Sequence, residues 1–155
     1  MVLSIAVADF QDVALLTFLQ AHLDDLAPTA PSDSQHALDA VGLQDSGVRL
    51  WVARDGRDLV GTVALAQISA QHEELKSMRT DPSRRGQGIA STLLLHALND
   101  AKSRGVNRVS LETGSMGFFA PARAFYRKHG FVECGPFNSY IEDTNSTFMT
   151  LFIHG

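Results

Sequence analysis

The chain has 155 residues, 45% of them hydrophobic, which makes a single domain over residues 1–155 with its own apolar core the expectation. Its 13 Lys and Arg stand against 17 Asp and Glu, a net charge of -4, so no global basic field exists to attract a nucleic acid and a small-molecule or peptide partner is expected instead. No apolar run approaches the roughly 20 residues of a membrane span, MVLSIAVADF lacks the basic flank and cleavage site of a signal peptide, and the single Cys134 cannot form an internal disulfide; a cytoplasmic protein with no membrane partner is expected.

Taken in chain order, residues 2–8 are apolar and partly β-branched and read as a first strand. Asp9 stands where an N-cap would precede a helical stripe of Val13, Leu16, Leu19, Leu23 and Leu26. Pro28 and Pro31 interrupt that pattern, and Ser32-Asp33-Ser34 can cap a second short helix carrying Ala37, Leu38 and Val41. Two apolar segments, residues 48–53 and 58–69, flank Arg54-Asp55-Gly56-Arg57, whose Asp-Gly pair predicts a tight hairpin. HEELKSMRT, residues 72–80, reads as a fourth strand, and period-two alternation would put Glu74, Lys76, Met78 and Thr80 on one face. A helical stripe of Ala90, Leu94, Ala97, Leu98 and Ala101 follows, with Gly105 as its C-terminal cap, and then a strand at 108–113. Ala122, Phe125, Tyr126 and His129 make the apolar side of a helix closed by Gly130, and strands at 131–134 and 147–153 complete the chain. The order β-α-α-β-β-β-α-β-α-β-β is an α+β arrangement whose sheet mixes hairpins with crossovers.

The segment Arg84-Arg85-Gly86-Gln87-Gly88-Ile89-Ala90 has the makings of a phosphate site. Two glycines admit positive φ and a close ligand, the unpaired amides of the following helix point outward, and two arginines add positive charge. The plainer alternative is a basic turn that merely starts a helix. A Walker A loop is excluded, because Gly88 is followed by Ile89-Ala90 rather than Lys-Ser/Thr, and a dinucleotide fingerprint fails at Ser91. Other chemistries fail as well. His72-Glu73-Glu74 would need a histidine at position 76 to make a zinc helix, but Lys76 stands there, so no metal is expected. Thr113-Gly114-Ser115-Met116-Gly117 misses the nucleophile elbow at its first glycine. Cys134, in a strand, reads as a buried inert thiol, and His22, His36, His96, His129 and His154 are scattered enough to be packing or surface residues.

Arg85, Gly88 and Ala90 match Arg/Gln-x-x-Gly-x-Gly/Ala, and the stretch from Ala122 through Tyr126 to Gly130-Phe131 matches Ala-x-x-x-Tyr-x-x-x-Gly-Phe. Together, from Glu74 to Phe131, they resemble the GNAT superfamily of N-acetyltransferases. ELKSMRT at 74–80, LETGS at 111–115 and PFNSYIEDTNSTFMT at 136–150 resemble its YsnE-like branch, which does not supply an acceptor.

The resemblance implies a GNAT acyl-CoA N-acyltransferase fold: a mixed, mostly antiparallel sheet with splayed fourth and fifth strands, flanked by helices. It implies acetyl-CoA as donor and no metal. Main-chain groups at Met78, Arg79 and Thr80 would pair with the pantetheine arm and polarise the thioester, and Arg84, Arg85, Gly86, Gln87, Gly88, Ile89, Ala90 and Ser91 would hold the pyrophosphate. Glu74 occupies the place of the family's base, the alternative being an exposed strand residue or one that orients the substrate's cation; Glu73 and His72 are weaker candidates. Tyr126 matches the tyrosine that protonates the departing thiolate, although a tyrosine on an apolar stripe is otherwise a core residue. Phe119 stands where the family often has asparagine, so that contact is not expected; Phe118, Phe119 and Pro121 would wall a channel or pack. The acceptor pocket would draw on the first helices and on Tyr140, Glu142, Asp143 and Asn145, whose alternative is a polar turn. The implied activity is acetylation of a primary amine on a small or amino-acid-like acceptor, the alternatives being a protein N-terminus or lysine, or a non-catalytic acyl-CoA sensor. A homodimer is left open.

Overall fold

In the computed structural model, which describes residues 1–29 and 37–154, the alternating segments pair into one seven-stranded sheet. Its strands are β1 (Leu3–Val7), β2 (Val48–Asp55), β3 (Asp58–Ser69), β4 (His72–Thr80), β5 (Arg108–Gly114), β6 (Val132–Cys134) and β7 (Ser146–Phe152), in the spatial order β1-β2-β3-β4-β5-β7-β6. All neighbours are antiparallel except β4 and β5. The Asp-Gly hairpin forms as expected, with Gly56 at φ 60 joining β2 to β3.

Among the described residues three α-helices cover the sheet: α1 (Val13–Leu26), α2 (Ile89–Ser103) and α3 (Ala120–Lys128). The N-cap of α1 is Asp12 rather than Asp9; its carboxylate accepts from the Ala14 amide at 2.9 Å, while Asp9 closes a preceding turn on the Gln11 amide. The buried face of α1 accordingly carries Leu15 and Leu19, and Val13 and Leu16 face solvent. The expected cap of a second helix lies outside the described residues. Within them, Ala37 and Leu38 are irregular chain and Val41 precedes a short 3-10 turn at Gly42–Gln44, so no helix forms there.

Side-chain alternation sorts the core into two layers. Trp51, Val63, Leu65, Leu75, Val109, Leu111 and Met149 point to the face covered by α2 and α3, where they meet Ile89, Leu93, Leu94 and Tyr126. Leu50, Val52 and Ala64 point to the other face and meet Leu15 and Leu19 of α1. Burial of Leu93 and Leu94 is complete, worth about 2 kcal/mol each. Helix α2 lies so close to β3 that a Cβ on Gly61 would sit 2.7 Å from Leu93 Cδ1.

One irregularity positions the site. Against β3, Lys76 pairs with Ala64 and Arg79 with Thr62, so Ser77 and Met78 together oppose Val63. This is a β-bulge, with Ser77 in the left-handed region at φ 52 and its carbonyl accepting from Thr62 Oγ1 at 2.8 Å. The extra residue inverts the alternation. Glu74 and Lys76 face the α1 side, Met78 packs into the α2/α3 core, and Arg79 returns to α1, so the expected single face of Glu74, Lys76, Met78 and Thr80 does not exist. Pairing of β4 with β5 covers only His72 with Arg108, Glu73 with Val109 and Glu74 with Ser110; beyond Glu74 the two strands part.

Because a non-glycine residue in the left-handed region costs about 1 kcal/mol, Ser77→Gly is expected to stabilise the protein by up to that amount, and Ser77→Val to destabilise it. Denaturant midpoints measure both; a stability loss in Ser77→Gly would refute the strained bulge.

Candidate functional site

After β4, Asp81 caps a short 3-10 turn (Pro82–Arg84), accepting from the Ser83 amide and hydroxyl at 2.9 Å each. The Arg84 guanidinium reaches back to the β2–β3 hairpin, 2.7 Å from Asp55 and 2.8 Å from Asp58. Its charge is thus engaged within the protein, where it fixes the loop from behind, whereas Arg85 is exposed and makes no ion pair among the described residues. Gly86 and Gly88 adopt φ 78 and φ 81, with open space where a side chain would stand. These glycines are required by backbone conformation, not by crowding. Gly88 is the N-cap of α2 and supplies no side-chain cap, so the first amides of a 15-residue helix point outward unpaired. Ile89 is buried in the core, Gln87 is exposed, and Ser91 is hydrogen-bonded at 3.1 Å to His129 Nε2, which ties the start of α2 to the end of α3. Positive-φ glycines, a free arginine and uncapped amides fit a diphosphate, the central group of coenzyme A.

A cavity of about 770 Å³ opens where β4 and β5 part, and it runs between the two faces of the sheet. Its wall toward α1 includes Glu74, Lys76, Glu112, Asn145 and His22; its wall toward α3 includes Met78, Leu111, Phe119 and Tyr126. Phe119 lies across Gly114, where a Cβ would fall 2.0 Å from the ring, so Gly114 is what lets the ring line the cavity. Phe118 is exposed and meets Phe119 edge-on. Residues 84–91 of the glycine loop lie outside the cavity, at the start of α2.

Tyr126 is 8% exposed, and burial pushes its phenol well above the ordinary range, so at neutral pH it is a proton donor. Its hydroxyl has no protein partner among the described residues. It is not sealed in, because the only buried side-chain polar atom left unpaired among those residues is Ser146 Oγ. Glu74, 6% exposed, accepts from Tyr140 OH at 2.5 Å and from Lys76 Nζ at 3.1 Å. The weaker alternatives are engaged elsewhere. Glu73 points to the opposite face and takes two 2.8 Å hydrogen bonds from Arg104, while His72 Nε2 lies 2.7 Å from Ser110 Oγ.

Of the other expected site residues, Arg79 sends its guanidinium to the Phe18 carbonyl and Asp25 Oδ2, both at 2.9 Å, and Met78 lines the cavity whereas Arg79 and Thr80 do not. Glu142 is exposed and does not line the cavity, because the turn before β7 directs Tyr140, not Glu142, toward Glu74. Cys134 is half-buried, and burial raises its thiol. Lys76, on the Glu74 face as alternation predicts, His22, expected as a packing or surface residue, and Glu112 also line the cavity. Lys76 was discoverable, since it shares strand parity with Glu74; His22 and Glu112 needed the sheet order. Burial and the nearby Arg79 guanidinium pull the His22 imidazole down to about 4, so it is uncharged at neutral pH.

The family model described as acetyltransferase (GNAT) family matches residues 14–131. The uncharacterized N-acetyltransferase YsnE of Bacillus subtilis (strain 168) is 40% identical over 146 residues, covering 94% of this chain and 97% of that one. The uncharacterized N-acetyltransferase YedL of Escherichia coli (strain K12) is 38% identical over 143 residues, covering 92% and 90%. In structure, the PaiA N-acetyltransferase of Thermoplasma acidophilum, solved in complex with coenzyme A, superposes with a TM-score of 0.75 at 20% identity, covering 97% and 98%, a likeness of fold.

The depressed imidazole has a consequence for stability. As pH falls below the unfolded value of 6.5 the unfolded chain takes up a proton that folded His22 refuses until about 4, so stability is lost across that window. His22→Gln should remove this component: the melting temperature of the native protein should fall relative to the variant between pH 6.5 and about 4, and parallel curves would refute it.

Proposed function

The chain belongs to the acetyltransferase (GNAT) family, and on that premise we propose that it transfers an acetyl group from acetyl-CoA to the primary amine of a small cationic acceptor by direct attack. The observation that carries this reading is that Glu74 and Tyr126 wall one cavity from its two sides, at the point where β4 and β5 separate.

Arg85, the backbone of Gly86, Gln87 and Gly88, and the amides of Ile89, Ala90 and Ser91 hold the diphosphate, with Arg84 bracing the loop. Main-chain groups of Met78, Arg79 and Thr80, on the edge of β4 that β5 no longer pairs, are available to the pantetheine arm. When bound, acetyl-CoA supplies an activated acyl group and a thiol leaving group. An amine must be neutral to attack, and the Glu74 carboxylate takes its proton, directly or through a water. Tyr126, protonated at working pH, delivers a proton to the departing sulfur.

The acceptor class follows from charge. Among the described residues the cavity is lined by the carboxylates of Asp24, Asp39, Glu74 and Glu112 against the single cation of Lys76, with His22 uncharged. That imbalance attracts an ammonium group and disfavours an anion. Residues of α1 and 37–39 line one side of the cavity, which leaves more room for a small acceptor than for a protein chain.

The test is release of free coenzyme A from acetyl-CoA with agmatine, spermidine, L-lysine and tryptamine as acceptors. Tyr126→Phe is expected to lower kcat by about 100-fold while acetyl-CoA binding, measured by calorimetry, is retained. Undiminished turnover in Tyr126→Phe would contradict the proton-donor role. Thermal stabilisation by acetyl-CoA with no amine turned over would favour a non-catalytic acyl-CoA-binding module.

A further inference from the structure

The two oxygens of the Glu74 carboxylate are not equivalent. Tyr140 OH and Lys76 Nζ both donate to Oε2, at 2.5 and 3.1 Å, and they lie 3.2 Å from each other. Oε1 has no protein partner among the described residues, and it is not a sealed atom, since Ser146 Oγ is the only buried unpaired side-chain polar atom there. One oxygen is clamped and the other is presented to the cavity that Glu74 lines.

The clamp is built independently of any ligand. Tyr140 sits at the end of a turn in which its amide donates to the Phe137 carbonyl at 3.1 Å, with Asn138 in the left-handed region at φ 54. Its ring packs against Phe137 at 5.1 Å and Phe148 at 5.5 Å, and Phe137 in turn meets Phe148 of β7 at 5.9 Å. An aromatic ring wedged between two others has little freedom to move, so its hydroxyl is delivered to Glu74 from a fixed direction. Lys76 is fixed likewise, two residues along the same strand face as Glu74 and before the bulge that would reverse it.

Building on the assignment of Glu74 as base, we propose that Tyr140 is a positioning residue: it and Lys76 lock Oε2 so that Oε1 alone faces the acceptor amine. The proton leaving the amine goes to Oε1, and Oε2, then the carbonyl oxygen of the neutral acid, goes on accepting from its two donors. Tyr140 therefore acts through Glu74 and does not itself grip the acceptor. The turn between β6 and β7 is part of the catalytic machinery, by way of a phenol supplied from outside the family's two sequence motifs.

A double-mutant cycle tests this, using acetyl-CoA and the amine that is turned over fastest among the four above. Tyr140→Phe keeps the ring and its packing and is expected to lower kcat by about tenfold or more, with KM for acetyl-CoA and for the amine changed by less than about twofold. In the Glu74→Gln background the same substitution is expected to cost nothing further. An equal loss in both backgrounds, or a raised amine KM with kcat intact, would overturn the clamp. Wild-type turnover in Glu74→Gln would instead sink the base assignment on which the clamp rests.

A second measurement needs no turnover. The chain has only two tyrosines, so in Tyr126→Phe an alkaline absorbance titration reports Tyr140 alone. Burial, then the Glu74 carboxylate, then Glu112 resist its ionisation, while Lys76 is the cation facing it. Adding Glu74→Gln should let the phenol ionise at lower pH; an unmoved titration curve would mean that the two groups are not in contact and would overturn the proposal.

Discussion

Strands β4 and β5 hold together for three residue pairs and then part, and nearly everything about the site follows from that separation. Parallel strands in a sheet interior ordinarily stay paired, because backbone groups left without partners in a packed layer cost free energy. Here both strands are anchored on their far sides, β4 to β3 through seven pairs and β5 to β7 through another seven, so the gap is a built feature and not fraying. The bulge at Ser77 supplies the bend, and Thr62 Oγ1 pairs with the carbonyl that the bulge displaces. The result is a cleft joining both faces of the sheet, with one face presenting Glu74 and the other Tyr126. Glu74 and Tyr126, the proposed base and proton donor, thus reach one space without being neighbours in the same layer.

Charge in the frame serves placement, and charge in the cavity serves selection. Arg84 binds the loop to the β2–β3 hairpin, Arg79 binds β4 to α1 through Asp25 and the Phe18 carbonyl, and Arg104 neutralises the buried Glu73. With these cations engaged, the cavity keeps an excess of carboxylates, and Arg85 is left facing solvent beside the amides at the start of α2. In the proposed function, the donor's negative groups and the acceptor's positive group are therefore drawn to different places on one molecule.

Much of this was legible in the sequence because it is local. The Asp-Gly hairpin, the glycines at 86 and 88, the cap at Gly105 and the helix closed at Gly130 are short-range demands on φ, and the structure has positive φ at each of those glycines. What failed was long-range or depended on counting parity. A single inserted residue at Ser77 sends Met78 and Arg79 to the faces opposite to those that alternation predicts, and no residue type in HEELKSMRT announces it. Asp9 and Asp12 are equally good caps by composition, and in the structure Asp12 caps α1 while its other carboxylate oxygen pairs with Arg54 of β2. Tyr140 and Glu142 were equivalent candidates until the turn pinned by Phe137 and Phe148 turned the tyrosine inward. The YsnE-like resemblance is consistent with the 40% identity to YsnE across nearly the whole chain, yet neither carries information about the acceptor.

In the proposed function the parted strands form the reaction site, with the glycine loop at one end and Tyr126 and Glu74 within. A crystal structure of the protein with coenzyme A tests it most directly. The diphosphate is expected on the amides of residues 86–91 beside Arg85, the pantetheine arm along the unpaired edge of β4, and the sulfur next to the Tyr126 hydroxyl. A ligand seated elsewhere, or one whose sulfur ends away from the cleft between β4 and β5, would contradict it.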